Sequence, residues 1–213
     1  MLLAWLLIAF HPAAGSSAAG APPPISSVDR DERPPLRLVT VVDERTDVRG
    51  LRLSTVLAQA EAIWRPHVLL RATTGTEVGP SCDASLTLRL TDRHHDERAA
   101  QRQLTPGWID FVGGEPSQTI NVSPRAARQW AGTHRFGGQL LADLPPRAAA
   151  PLVERALGWS VAHEIGHYLL RSAGHTADGL MKARFTAGDI AGHLPSATRG
   201  LEAGRLAIPR AAC

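Results

Sequence analysis

The hydrophobic positions of this chain fall into short runs with two different periods. Residues 36–42, Leu-Arg-Leu-Val-Thr-Val-Val, alternate at first and then become continuous and β-branched, which predicts a strand. In residues 51–64, Val56, Leu57, Ala60, Ile63 and Trp64 share one helical face, with Ser54 placed as N-cap and Pro66 as the stop. Residues 67–72 predict a second strand, at whose start His67 sits as a structural residue. Strand, helix and strand in that order predict a parallel pair joined by a right-handed crossover. Residues 85–90 alternate cleanly and predict a third strand with one wet face. Residues 108–112, Gly113-Gly114 and residues 117–123 predict a hairpin ending in an edge strand.

The second half of the chain reads mainly as helix. Residues 124–130 predict a short helix, and 132–146 a glycine- and proline-rich loop in which His134 is incidental. From residue 151 the period lengthens: Leu152, Ala156 and Trp159 recur at helical spacing, as do Leu157, Val161 and Ile165, with Pro151 suited to a first turn. Thr186-Ala187-Gly188-Asp189 has the form of a helix start, with Ile190 and Leu194 facing in, and residues 196–206 predict a weaker helix. The elements together predict an α/β (α+β) fold over residues 36–213, with no internal repeat.

The N-terminal segment stands apart. Residues 1–10 are apolar and are followed by small residues, with Ser17-Ala18-Ala19 as a small-x-small site. That length suits a signal-peptide core and is too short to span a bilayer, so residues 1–21 are expected to direct export, leaving a secreted or periplasmic protein. Residues 22–35 are proline-rich and read as an extended linker.

The predicted long helix carries the chemistry. In His163-Glu164-Ile165-Gly166-His167 the two His lie four apart, so both imidazoles can hold one ion, and Glu164 lies beside that face. A third His follows at Gly174-His175, and a Met at Gly179-Leu180-Met181. Zinc bound by His163, His167 and His175 would keep one tetrahedral position open for water, with Glu164 as general base. Two other residues compete with His175 as third ligand: Glu202, which would give a two-His, one-Glu site, and Asp178.

These residues resemble the metzincin-type zinc metallopeptidases, whose pattern is a H-E-x-x-H helix, a glycine turn, a third His and a downstream Met-turn. Gly174-His175-Thr176 with Gly179-Leu180-Met181 is similar to the matrix-metalloprotease branch, over roughly residues 151 to 185. The chain departs from the pattern by placing Leu170 and Ala173 where the family has its glycine and third His, so His175 arrives two residues late. A helix running on through Leu170 or Arg171, ended by Gly174 at positive φ, would bring His175 back to the ion. The resemblance implies a twisted mixed sheet, an active-site helix, a mainly helical C-terminal subdomain and a single catalytic Zn2+. It also implies Met181 packing beneath the ligands, and an extended peptide or protein substrate pairing with Thr119, Ile120, Asn121 and Val122. A cysteine-capped form of latency is not available, because no cysteine precedes Cys82.

Composition narrows the alternatives. Lys182 is the one lysine among 23 basic residues, the net charge is only +3, and the arginines are scattered, which argues against a nucleic-acid surface. A single-domain monomer with no membrane span after processing fits the length of 213 residues. Cys82 and Cys213 either pair in an oxidising compartment or are unrelated thiols. His94-His95-Asp96-Glu97-Arg98 lacks ligand spacing and reads as solvated surface, and the string Asn121-Val122-Ser123 is discounted as a glycosylation site. The leading function is peptide-bond hydrolysis. The alternatives are a secreted zinc-binding protein with little catalysis and a zinc amidase acting on cell-wall peptides.

Overall fold

The computed structural model describes residues 36–44, 50–65, 67–73, 84–91 and 106–191. The expected signal segment and linker, His94-His95, both cysteines, Glu202, Leu194 and the helix at 196–206 lie outside the described residues. Among the described residues no helix is long and apolar enough to cross a membrane.

The described chain is a mixed α/β fold built on one five-stranded sheet. The strands are β1 (Leu36–Glu44), β2 (Val68–Thr73), β3 (Ala84–Leu90), β4 (Gly107–Val112) and β5 (Glu115–Val122). Their spatial order is β2-β1-β3-β5-β4. Strands β1, β2, β3 and β5 run parallel, and β4 alone is antiparallel. Helix α1 (Leu53–Trp64) connects β1 to β2, as the strand-helix-strand pattern requires. In β3 the alternation is realised: Ala84, Leu86, Leu88 and Leu90 are buried, while Ser85, Thr87 and Arg89 are more exposed.

The hairpin corrects the expected edge. Gly113 and Gly114 take φ of +62° and +87°, as a two-residue primed turn demands, so the β4–β5 pairing forms as the pattern predicts. Strand β5, however, is an interior strand. Ile120, Asn121 and Val122 pair with Leu88, Arg89 and Leu90 on one side, and with Ile109, Trp108 and Gly107 on the other. Thr119 pairs with Thr87. The segment Thr119–Val122 therefore does not form an edge; among the described residues the edge strands of the sheet are β2 and β4. The pattern of one strand cannot reveal which neighbour lies beyond it.

Helix α2 (Pro124–Gly132) starts on Ser123, whose buried hydroxyl accepts from the Ala126 N–H at 3.1 Å. Asn121 and Ser123 are both buried, which agrees with discounting the glycosylation string. A small β6–β7 hairpin (Arg135–Phe136, Gln139–Leu140) leads into helix α3 (Pro146–Leu170). His134 is not idle here: its ring packs on Trp130 at 4.2 Å, and its Nδ1 lies 2.8 Å from the Trp130 carbonyl.

Helix α3 spans 25 residues, about 37 Å at helical rise. It begins at Pro146 rather than Pro151, because Ala148, Ala149 and Ala150 are strong helix formers and extend it by more than a turn. Pro151 sits inside, where both it and Arg147, whose carbonyl loses its helical partner, are exposed. From Ala156 to Leu169 every residue is buried, against α1, α2, β4 and β5. Such a helix has no single apolar face and lies in the core.

Polar contacts and a close crossing lock α1 onto α3. The N-terminus of α1 is capped by neither Ser54 nor any local side chain; its Arg52 N–H donates to the buried Glu154 carboxylate at 2.7 Å. The Arg52 guanidinium closes on the same carboxylate at 3.2 Å, so the buried charge is paired. A carboxylate there also meets the positive end of the helix dipole. At the crossing, Gly158 lets the helices approach: a Cβ there would lie 2.6 Å from Gln59 Cβ and 2.9 Å from the Val56 carbonyl oxygen. Gly158→Ala is expected to cost about 1–3 kcal/mol by overpacking, whereas Gly188→Ala, whose Cβ meets nothing closer than 3.6 Å, should be near neutral. Denaturant unfolding of the two variants checks this, and equal stability would contradict the close crossing.

Candidate metal centre

The helical spacing of His163 and His167 puts both rings on one side of α3, edge to face with centroids 4.6 Å apart. Their Nε2 atoms lie 3.0 Å from each other. Each ring has its Nδ1 on a main-chain carbonyl: His163 on Leu180 at 2.7 Å and His167 on Ser172 at 2.6 Å. A carbonyl can only accept, so each Nδ1 carries the proton and each Nε2 presents a lone pair. Two lone pairs converging at this distance repel unless a cation lies between them.

His175 completes the cluster. The ligand atoms of His163, His167 and His175 all lie within 4.8 Å of one another. Tetrahedral coordination at zinc–nitrogen bonds of about 2.0–2.1 Å needs nitrogens about 3.3 Å apart, so the set can close on one ion with small adjustments. His163 and His167 are buried and His175 is exposed. Its ring lies parallel to His163 at 5.3 Å and perpendicular to His167 at 5.0 Å. Of the rival third ligands, Asp178 is exposed and its carboxylate is outside the cluster, with its main-chain carbonyl accepting from Thr176 Oγ1 at 2.6 Å.

The two-residue delay of His175 is absorbed as expected in one respect and not in another. Helix α3 does run on to Leu170. The left-handed residue that ends it is Arg171, at φ 48° and ψ 42°, and not Gly174. Arg171 is the one non-glycine residue at positive φ among the described residues. This turn reverses the chain so that the Ser172 N–H donates to the His167 carbonyl at 3.2 Å, while the Ser172 carbonyl meets the His167 ring. The return limb is then pinned, with the Thr176 N–H donating to the Met181 carbonyl at 2.9 Å.

Leu180 and Met181 act as a platform. Both are buried, and the Leu180 carbonyl orients His163. The Met181 side chain lies against Gly166, which stands between His163 and His167 in sequence: a Cβ on Gly166 would overlap Met181 Sδ and stand 3.1 Å from its Cε. Gly166 thus yields to a thioether rather than to a neighbouring backbone. On the far side, Phe185 packs edge to face on His163 at 5.4 Å and on Trp159 at 5.4 Å. The Thr186–Asp189 cap opens α4 (Ala187–Ala191) as its pattern predicts, with both Thr186 N–H and hydroxyl on the Asp189 carboxylate at 2.7 Å.

Glu164 faces the edge strand. It is buried, Gly107 of β4 leaves room for it, and the Ile109 backbone hydrogen-bonds its carboxyl. Burial pushes its pKa up to about 8, against the opposing Ile109 bond. Burial lowers His163 to about 4, opposed by the Leu180 carbonyl and reinforced by His167 and His175. His167 is lowered by burial as well, with the Ser172 carbonyl opposing. A depressed imidazole pKa is what a metal ligand needs, because the proton no longer competes for the lone pair.

Against protein-family models, curated proteins and solved structures, the chain finds no match. The centre therefore stands on its own geometry. Sequence reasoning named its side chains but missed the Ser172 and Leu180 carbonyls and the Ile109 backbone, since any residue type supplies those groups.

Two outcomes follow for the metal-free chain. Glu164 holds its proton in the folded state between its ordinary value of 4.5 and about 8, so stability falls as pH rises through that window. His163 binds fewer protons folded than unfolded between about 4 and 6.5, so it adds stability as pH rises there and nothing above. Metal-free protein should then be less stable at pH 8 than at 6.5, and Glu164→Gln should remove that decline in urea titrations. Separately, Gly166→Ala should cost about 1–3 kcal/mol and Met181→Ala about 2–5 kcal/mol. In the double variant the added methyl enters space the thioether vacated, so its cost should fall well short of the sum. An additive cycle would dissociate Gly166 from Met181.

Proposed function

We propose that the chain is a zinc-dependent metalloendopeptidase of metzincin-like fold, acting on peptide or protein substrates after export. The observation that carries the reading is a buried carboxyl group, Glu164, next in sequence to His163, one of three His whose ligand atoms lie within 4.8 Å of one another. A purely structural site closes its coordination shell and needs no proton acceptor there.

His163, His167 and His175 would hold the ion. Zinc in this site supplies Lewis-acid activation of a water and of the scissile carbonyl. Glu164 takes a proton from the attacking water and delivers it to the leaving nitrogen, so one carboxyl group serves as base and then as acid. Its raised pKa in the metal-free chain reflects burial; beside a dication the ionised form is favoured again. The substrate backbone adds to the open edge of β4, which replaces the Thr119–Val122 segment in that role. Ile109, whose backbone bonds Glu164, lies on the same strand, so substrate pairing and the proton acceptor share one support.

The test compares metal content with hydrolysis of a broad peptide library. One zinc per chain is expected in the wild type and in Glu164→Ala, with hydrolysis lost only in the variant. His175→Ala should lose the metal, whereas Asp178→Ala and Glu202→Ala should keep it. Stoichiometric zinc with no hydrolysis by the wild type would favour a zinc-binding protein, and hydrolysis confined to cell-wall peptides would favour an amidase. Retained zinc in His175→Ala would remove that residue from the ligand set.

A further inference from the structure

We infer that Arg171 and Glu115 form an ionic strap that positions the metal ligands, and that Arg171 is a positioning residue for His167 and His175. This rests on the reading of the three His as a metal site.

The strap joins the two parts of the chain that support the centre. The Arg171 guanidinium pairs with the Glu115 carboxylate, both side chains being partly exposed. Glu115 opens β5, directly after the Gly113-Gly114 turn. The other arm of that hairpin carries Ile109, bonded to Glu164, and Phe111, whose ring meets His167 edge to face at 6.3 Å. At the other end, Arg171 is itself the left-handed residue on which the His loop turns. The next residue supplies the carbonyl that holds the His167 Nδ1 proton, and its hydroxyl accepts from the Gly174 N–H at 3.1 Å, beside His175.

A left-handed arginine is otherwise unfavourable, because its Cβ crowds the following carbonyl oxygen, and glycine is the usual occupant. The ion pair explains why a long basic side chain stands there: it exchanges backbone comfort for a tether to the hairpin. Metal binding lets the two roles be separated. Glycine would relax the turn and lose the tether, so stability and metal affinity should respond differently.

The experiment is a chelator-competition titration of zinc, together with thermal unfolding of the metal-free chain, in the full protein. Glu115→Gln and Arg171→Gly should each weaken zinc binding about threefold to fivefold at low salt, the scale of a partly exposed ion pair. The metal-free Tm of Arg171→Gly should stay level or rise. Arg171→Lys should recover part of the affinity, and the exchanged pair Glu115→Arg with Arg171→Glu should recover more than either single reversal. In 1 M salt the wild type should approach the variants, because the pair is screened. Equal zinc affinity across the set would overturn the strap while leaving the metal site standing. So would losses of affinity that merely track losses of metal-free stability. Failure of the wild type to bind zinc would overturn the strap and the metal site together.

Discussion

His163 and His167 bring two unprotonated nitrogens to 3.0 Å while giving both ring protons to main-chain carbonyls. In the protein interior such an arrangement is costly, since with both ring protons on Nδ1 neither Nε2 can donate to the other. Almost every unusual feature of residues 163–182 maintains it. The Arg171 turn delivers the Ser172 carbonyl, the Leu180–Met181 platform delivers the second carbonyl, and Gly166 makes room for the thioether that seats the platform. Hydrogen bonds from a ring N–H to a main-chain carbonyl fix the tautomer and direction of an imidazole, and in metal sites losing such a partner typically costs about 10–100-fold in affinity or activity.

The fold's contribution is a rigid mount. Helix α3 is buried on all sides where it carries His163 and His167, and it is held to α1 by the Gly158 crossing and by the Trp64 Nε1–H donating to the Ala162 carbonyl at 2.9 Å. That carbonyl directly precedes His163 in sequence. The Arg52–Glu154 pair fixes the same two helices about two turns further toward the N-terminus of α3. The β4–β5 hairpin, through Ile109 and Phe111, contributes the wall beside Glu164 and His167.

What could be read from the sequence was local. The H-E-x-x-H spacing, the alternation in residues 85–90, the Gly113-Gly114 turn and the Thr186–Asp189 cap each depend on neighbours a few residues apart. The third His, though displaced, could be named because the helix had an evident way to absorb the delay. What escaped was non-local or carried by backbone. The cap of α1 comes from Glu154, 102 residues beyond Arg52, so Ser54 was the wrong local candidate. Strand order placed β4 and not β5 at the edge, which only the whole sheet decides. Arg171 took the left-handed turn expected of Gly174, because a distant Glu115 compensates for its side chain.

The most direct measurement is X-ray absorption at the zinc edge of the stoichiometrically loaded protein, because it counts imidazoles and ranges their bonds. Three imidazoles with zinc–nitrogen distances of about 2.0–2.1 Å and one further oxygen from a non-imidazole ligand are the expected shell. Two imidazoles with a carboxylate, or a chain that takes up no stoichiometric zinc, would contradict the convergence of His163, His167 and His175 on one ion.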